Sequence, residues 1–352
     1  MEGRVDTEAS SNKVFQQHIH VFRGVAIILI VCAHTVPSLN WSANPKLGRF
    51  IDALANQASI FFFFIAGYLF QHLSGRFKYG KYLFQKLKTV IIPYLIVSIP
   101  ALFIFTKLAE RNEIWPWFYT LPIWKQVVLF IVTGKHMAPL WFVPTITLLY
   151  LAAPLLLKID RSFPILYWMI IPLLALSTSI GRDTFTVPFG TALYLLPIYL
   201  LGMLFSRERE HAELLVSKFW IPLCLLTFIG LYGYTLGWSQ PPYFQMIAKA
   251  PATLLITFAL LRWHYVFGKR LDYIAHVSFG IFFVHAYFIS AIKVATVYLI
   301  HNRIYKGDGY ADMPGNLLVF IFYAGGVLMF SVCVIWLAQK VLRKKSRMII
   351  GA

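Results

Sequence analysis

The chain has 352 residues, of which 59% are hydrophobic and only 13% are charged. Soluble domains are about 45–50% apolar and about 25% charged, so a water-soluble globule of this composition would expose large apolar patches. The apolar content also excludes a disordered chain. The three cysteines, Cys32, Cys224 and Cys333, stand singly, which excludes a disulfide scaffold and a zinc cage. The composition therefore indicates a polytopic membrane protein.

Ten apolar stretches have the length of membrane-spanning helices, about 17–25 residues. They cover residues 20–38, 55–72, 88–106, 139–157, 164–180, 189–206, 218–237, 246–262, 277–300 and 316–340. Transmembrane β-strands would be about 10 residues long and would alternate in polarity, which these stretches do not. The Trp-rich residues 107–138 are typical of the membrane interface and predict an interfacial loop or half-helix. The predicted fold is an all-α bundle of about ten spans, with residues 1–352 as one domain.

The distribution of Lys and Arg predicts the orientation. With the N-terminus in the cytoplasm, 21 of the 32 Lys and Arg residues lie inside and 10 outside, and Lys293 lies within a span. Both termini are then cytoplasmic, as a tail over 1–18 and a basic tail over 341–352, with Lys345 inside and Asp183 outside. The first span lacks a directly following cleavage site of a signal peptide. The net charge of +18 indicates contact with an anionic membrane surface, not with nucleic acid.

The first span carries two ionisable residues, Arg23 and His34, eleven positions apart. In a helix they lie about 20° apart around the axis and about 16 Å apart along it, so they share one face. Ionisable residues inside a span are costly and are often functional. A neutral histidine is suited to take a proton from a hydroxyl group, and an arginine is suited to bind phosphate. The alternative is that Arg23 reaches the lipid headgroups and His34 hydrogen-bonds a neighbouring helix.

Five motifs in this order resemble the acyltransferase 3 family of integral membrane O-acyltransferases. They are Arg23-x10-His34, residues 59–70 (SIFFFFIAGYLF), Lys86-Leu87-Lys88 ahead of Ile92-Pro93-Tyr94, Gly134 with residues 139–142 (PLWF), and residues 278–285 (SFGIFFVH). The resemblance extends from about residue 18 to about residue 340. It implies a multi-pass enzyme of the inner or plasma membrane. Such an enzyme transfers an acyl group, most often acetyl, from cytoplasmic acyl-CoA to a hydroxyl of an envelope glycan or glycolipid.

The resemblance also implies roles for individual residues. His34 is then the general base, and Arg23 organises the site or binds the phosphates of the donor, assisted by Lys86 and Lys88. No cofactor is expected to be bound permanently, since acyl-CoA is a donor substrate, and no metal site is predicted. This sequence departs from the family at His20, where an Asp is common, and at the basic pair, where Arg is common. Lysine lacks the bidentate fork of arginine.

A second part of the site is expected near the end of the chain. Ser278 and His285 are seven residues apart and share a helix face. They form either a second polar wall of the site or hydrogen bonds between helices. Trp141 either stacks on a sugar ring or an adenine, or lies at the membrane interface. Lys293 is interpreted as a residue that reaches the interface from the end of its span.

Two other classes of function remain open at this stage. One is a transporter or exporter of a surface polysaccharide or of its acyl donor. No Asp or Glu falls clearly within a predicted span, which argues against an ion-coupled transporter. The other is a structural subunit of a glycan-synthesis complex, in which Arg23 and His34 would be dispensable.

Overall fold

The computed structural model describes residues 2–111, 114–162, 164–182, 187–237, 242–267, 269–301 and 313–352. Asp183, predicted to lie outside the membrane, is not among the described residues. The described chain is helical throughout its ordered elements, and its β-structure is one isolated bridge between Asn40 and Pro314. The predicted all-α class is therefore confirmed.

Sixteen α-helices follow one another along the described chain. They are α1 (Glu2–Thr35), α2 (Pro45–Ala55), α3 (Ser59–His72), α4 (Tyr79–Lys86), α5 (Ile92–Phe103), α6 (Ile123–Thr133), α7 (Phe142–Leu151), α8 (Ala153–Ser162), α9 (Ile170–Ile180), α10 (Pro188–Arg207), α11 (Arg209–Leu236), α12 (Pro242–Trp263), α13 (Lys269–His276), α14 (Ser278–His301), α15 (Leu317–Leu342) and α16 (Ser346–Ile349). Two π-helical turns, Leu87–Ile91 and Ile104–Leu108, flank α5. In the described part of the Trp-rich region there are one short α-helix, α6, and a 3-10 turn at Phe118–Thr120.

Eight segments of the described chain are long and apolar enough to cross a membrane. They are Gln17–Ser38, Pro45–His72, Tyr79–Leu108, Pro188–Arg207, Arg209–Leu236, Phe244–Val266, Ser278–Tyr298 and Leu317–Ile349. Helices α7 and α8 would together make a ninth, but they meet at 51°. The predicted span 164–180 corresponds to a shorter apolar helix, Tyr167–Ile180. The predicted number of ten spans is therefore not confirmed, because two apolar stretches do not form straight helices of membrane length.

Helix α1 lies in the middle of the bundle. Its side chains Phe22, Ala26 and Ile27 are fully buried, and α2, α3, α12, α13, α14 and α15 all contact it. With the buried Ile19 and Ile30, the positions 19, 22, 26 and 30 recur every three to four residues, as expected for one apolar helix face. Arg23 and His34 lie on the remaining, half-buried side of the helix. The burial of α1 fixes the relative positions of these two side chains.

Helices α3 and α10 approach each other at the level of the backbone. A Cβ atom on Gly67 would lie 2.0 Å from the carbonyl oxygen of Tyr199, and one on Gly202 would lie 2.1 Å from that of Phe64. No larger residue fits at either position without moving a helix. Small residues are typical of such close helix contacts in membranes. This contact fixes α3, whose two ends reach two different cavities.

Asp52 and Lys249 lie inside membrane-length segments, and each departs from an expectation based on the sequence. Asp52 lies on α2 within Pro45–His72, so the expectation that no carboxylate falls within a span does not hold. Lys249, one of the ten cations counted as outside, lies on α12 and is only 3% exposed. Its ammonium group donates to the carbonyl oxygens of Ala53 and Leu54. A cation thereby satisfies the carbonyl groups at the C-terminal end of α2.

Candidate functional site

Two cavities lie along α1, and Arg23 and His34 belong to different ones. The basic cavity, of about 930 Å³, is lined by Arg23, and the histidine cavity, of about 430 Å³, is lined by His34. Phe142 is the one described residue that lines both. Its ring contacts those of Phe62 and Phe282, with centroids 6.2 Å and 5.3 Å away. An aromatic cluster therefore lies where the two cavities approach each other.

The basic cavity has a strongly cationic lining. Its described lining contains no Asp or Glu and eight Lys and Arg residues: Arg23, Arg76, Lys78, Lys81, Lys86, Arg343, Lys344 and Arg347. Arg347 is close enough to interact electrostatically with both Arg23 and Lys86. Like charges in one cavity repel each other, and a bound anion relieves that repulsion. The arrangement is suited to a ligand with several negative charges.

The two lysines of the third span point to different surroundings. Lys86 lines the basic cavity, and its ammonium group lies 4.7 Å from the ring centroid of Tyr150. Lys88 is exposed, is not part of that lining, and lies 4.2 Å from the ring centroid of Phe84. The π-helical turn Leu87–Ile91 begins between them. Only one of the two predicted lysines is therefore in a position to meet a ligand in the basic cavity.

The segment 341–352, predicted as a basic tail, folds back onto the basic cavity. The chain turns at Arg343, where φ is 48°, and then forms α16. Arg343 and Arg347 both line the cavity. A Cβ atom on Gly280 would lie 2.7 Å from Cβ of Ala352, so this segment packs closely on α14. The sequence reasoning missed these cations because a fold-back of this kind leaves no periodic signal.

His20, which stands where the family commonly has Asp, meets a carboxylate from another helix. Its Nε2 atom lies 3.1 Å from Oδ1 of Asp272 on α13. His20 itself lines the basic cavity. A carboxylate is thus present beside position 20 although the sequence has a histidine there. Asp272 could not be found from the sequence, since it is more than 250 residues away.

Helices α1 and α14 run side by side and bring the two predicted residue pairs together. Arg23 donates from Nη2 to Oγ of Ser278 at 3.1 Å. The ring centroids of His34 and His285 are 5.3 Å apart. Along the helix axes, the two α1 residues are about 16 Å apart and the two α14 residues about 10 Å apart, and the long Arg23 side chain bridges the difference. Both polar positions of α14 therefore contact the functional candidates of α1.

The histidine cavity has a mixed lining. Its polar lining residues besides His34 are Asp52, Asn56, Gln57, Ser59, Trp141 and Arg182. Asp52 accepts a hydrogen bond from the hydroxyl group of Tyr234, and Gln57 accepts one from Tyr194 at 3.0 Å. These bonds hold a carboxylate and an amide in place at the cavity wall. The lining offers hydrogen-bond acceptors and donors without a large excess of one charge.

Trp141 belongs to the histidine cavity and not to the basic cavity. The guanidinium group of Arg182 lies 4.0 Å from the centroid of its ring, which is a cation–π contact. Trp141 therefore lies away from the cations of the basic cavity. Sequence reasoning did not identify Asp52 or Arg182, which come from a helix end and a loop.

The described residues contain no group of three or more His, Cys, Asp and Glu side chains placed to hold a metal ion. A family model described as an acyltransferase domain, that of the acyltransferase 3 family, matches residues 17–337. The chain belongs to the acyltransferase 3 family. The resemblance inferred from five motifs is thereby confirmed, and the protein is a multi-pass membrane acyltransferase. No curated protein and no solved structure matches the chain.

Proposed function

We propose that the protein transfers an acyl group, most often acetyl, from acyl-CoA to a hydroxyl group of a cell-envelope glycan or glycolipid. The observation that carries this proposal is that Arg23 and His34 lie on one helix but line two different cavities. One cavity has the charge that a phosphorylated donor requires. The other holds a histidine among amides, a hydroxyl group, one carboxylate and one arginine, which are suited to hydrogen-bond an uncharged hydroxyl acceptor.

The donor is proposed to bind in the basic cavity. Arg23, Lys86 and Arg347 lie close enough to interact electrostatically, so the phosphates of CoA have at least three cations to bind. The separation of Arg23 and His34, about 16 Å along the helix, is comparable to the length of a pantetheine arm. The phosphates can thus stay beside Arg23 while the thioester reaches the neighbourhood of His34. Lys88 has no contact with the donor in this arrangement.

His34 is proposed to act as the general base. It takes the proton of the acceptor hydroxyl as the oxygen forms a bond to the acyl carbon. The carbon–sulfur bond then breaks, and the proton passes to the thiolate of CoA, so that the products are an ester and free CoA. A neutral imidazole is required at the start, because only an unprotonated ring nitrogen takes the proton.

The acceptor is proposed to bind in the histidine cavity. Asp52, Asn56 and Gln57 offer a carboxylate and two amides, which are suited to the several hydroxyl groups of a sugar. Trp141 offers an aromatic face at the same cavity. The opposite placement of the two cavities along α1 supports entry of the donor from the cytoplasm and of the acceptor from the other side of an inner or plasma membrane.

Mass spectrometry of surface glycans tests this proposal. A strain that lacks the protein should lose one acyl mass from an envelope glycan, and the wild-type chain should restore it. His34→Gln should fail to restore the acyl mass while the total amount of surface glycan stays at the wild-type level. A loss of the glycan itself from the surface would instead support the transporter, and full restoration by His34→Gln would contradict the enzyme mechanism.

A further inference from the structure

The two ring nitrogens of His285 have different surroundings. The side chain is completely buried, and Nδ1 lies 2.9 Å from the carbonyl oxygen of Ile281, one turn earlier on α14. A carbonyl oxygen only accepts hydrogen bonds, so Nδ1 carries the proton and Nε2 of the neutral ring is an acceptor. Nε2 is buried and has no hydrogen-bond partner within the described structure. His285 therefore presents one unused acceptor inside the bundle.

Another buried histidine, His136, shows what a purely structural arrangement looks like in this protein. Its Nδ1 lies 3.0 Å from the carbonyl oxygen of Phe130, and its Nε2 lies 2.8 Å from Oγ of Ser98. Both nitrogens thus have partners, although the side chain is as deeply buried as that of His285. A buried acceptor without a partner costs about 1–3 kcal/mol, so such groups call for an explanation.

The ring that contacts His285 on the side of the histidine cavity is that of His34, with the two centroids 5.3 Å apart and the planes at 39°. His34 lines the cavity and His285 does not, so His285 stands behind His34 as seen from the acceptor. Catalytic hydrogen bonds are often long in ligand-free sites and shorten in the complex with substrate. Ring centroids 5.3 Å apart permit an N–H···N hydrogen bond between the two rings when a nitrogen of each ring is turned toward the other.

We propose that His285 is a positioning residue for His34: its Nε2 atom accepts a hydrogen bond from one ring nitrogen of His34 and keeps the other, unprotonated nitrogen turned to the histidine cavity. The inference rests on the proposed function, in which His34 is the base. A histidine with both tautomers available would present a proton instead of a lone pair to the acceptor for part of the time. An acceptor behind the base fixes its tautomer, as the orienting partners of catalytic and metal-bound histidines do.

Two substitutions of His285 test whether this residue acts by positioning His34. In His285→Leu the side chain keeps a similar volume but has no acceptor, and kcat should fall about 10–100-fold, the usual range for the loss of an orienting partner. In His285→Gln the amide oxygen supplies an acceptor near the position of Nε2, and a large part of kcat should return. The Kd of acetyl-CoA should be unchanged in both folded variants. Wild-type kcat in His285→Leu, or a His285→Gln variant as slow as His285→Leu, would overturn the inference.

Nitrogen-15 NMR of histidine-labelled protein provides a readout that does not depend on turnover. In the wild type, His285 should be the Nδ1–H tautomer and His34 should show a single neutral tautomer. In His285→Leu, His34 should show a mixture of both tautomers. An unchanged His34 tautomer in that variant would overturn the positioning role. A failure of the proposed function is recognised separately, because the wild-type protein itself would then transfer no acyl group.

Discussion

The basic cavity and the histidine cavity are lined by the same helix, α1, but differ in almost every other property. The basic cavity is about twice as large, has eight cations and no carboxylate in its described lining, and takes several of its cations from the C-terminal segment. The described lining of the histidine cavity has two amides, three aromatic side chains besides His34, one carboxylate and one arginine. Under the proposed function, one end of α1 binds the charged donor, whereas the other binds the neutral acceptor through hydrogen bonds.

The largest effect is expected from removal of the base in the histidine cavity. His34→Ala should lower the rate of acyl transfer about 10²–10⁴-fold, the usual range for general base catalysis. His34→Gln should not restore it, because an amide forms hydrogen bonds but takes no proton at neutral pH. The rate is measured on purified, folded protein in nanodiscs. The exposed His211, outside both cavities, provides the control His211→Gln, which should keep the wild-type rate. Near-normal turnover of His34→Gln would make this histidine a structural residue.

The neighbouring lysines of the third span test which cations belong to the basic cavity. Lys86→Ala should weaken binding of acetyl-CoA about 10-fold, because a charged hydrogen bond to phosphate contributes about 1.5–3 kcal/mol. Lys88→Ala removes the same charge two residues away, outside the lining, and should change the Kd less than about 2-fold at physiological salt, where exposed charges are screened. Calorimetric titration compares the two variants. Equal effects would mean that only the overall charge of this surface matters.

Substitution of Asp52 at the histidine cavity is expected to weaken binding of the glycan acceptor. Asp52→Asn keeps the shape of the side chain but removes its charge, so hydrogen bonds from acceptor hydroxyls weaken. The KM for the glycan acceptor identified by mass spectrometry should rise about 5-fold, which corresponds to about 1 kcal/mol, whereas the Kd of acetyl-CoA should stay constant. Glu213→Gln, at a carboxylate paired with Arg209, is the control. If Asp52→Asn changed the Kd of acetyl-CoA and left the KM of the acceptor unchanged, the assignment of Asp52 to the acceptor site would be wrong.

The smallest effect on activity is expected from a substitution at the contact of α3 with α10. This effect should not distinguish donor binding from acceptor binding. Gly67→Ala inserts a Cβ atom at 2.0 Å from a carbonyl oxygen, which should destabilise the protein by about 1–3 kcal/mol and lower Tm by several degrees. Because α3 lines both cavities, donor and acceptor binding should weaken together. Gly325→Ala, with nothing within 4 Å of the added atom, should not lower Tm. A selective loss of one ligand in Gly67→Ala would contradict the shared role of α3.

The sequence predicted well what depends on a single helix. The spacing of Arg23 and His34 and that of Ser278 and His285 are local properties, because the helical repeat alone decides which residues share a face. The all-α class followed from apolar stretches whose length is set by the membrane. The straightness of each stretch could not be predicted, and the bend between α7 and α8 accounts for part of the difference in the number of spans.

The parts of the site that depend on tertiary contacts could not be predicted. Asp52 was assigned to a region outside the predicted spans, and Lys249, in the predicted stretch 246–262, was counted with the outside cations, because the position of each results from the packing of α2 against α11 and α12. Arg347 lies in a segment that reads as a charged tail and is brought to the basic cavity only by a turn of the chain. Spacing alone could not separate Lys86 from Lys88, since the π-helical turn after Lys86 changes the direction of the following side chains.

The central claim is that the donor phosphates and the base occupy different cavities on one helix. The most direct test is calorimetric titration of acetyl-CoA into the wild type, Arg23→Ala and His34→Gln in nanodiscs. Arg23→Ala should weaken binding at least about 10-fold, since a charged hydrogen bond is lost, and His34→Gln should bind acetyl-CoA as the wild type does. Loss of donor binding in His34→Gln to the same extent as in Arg23→Ala would show that both residues serve one donor site, and would contradict the account.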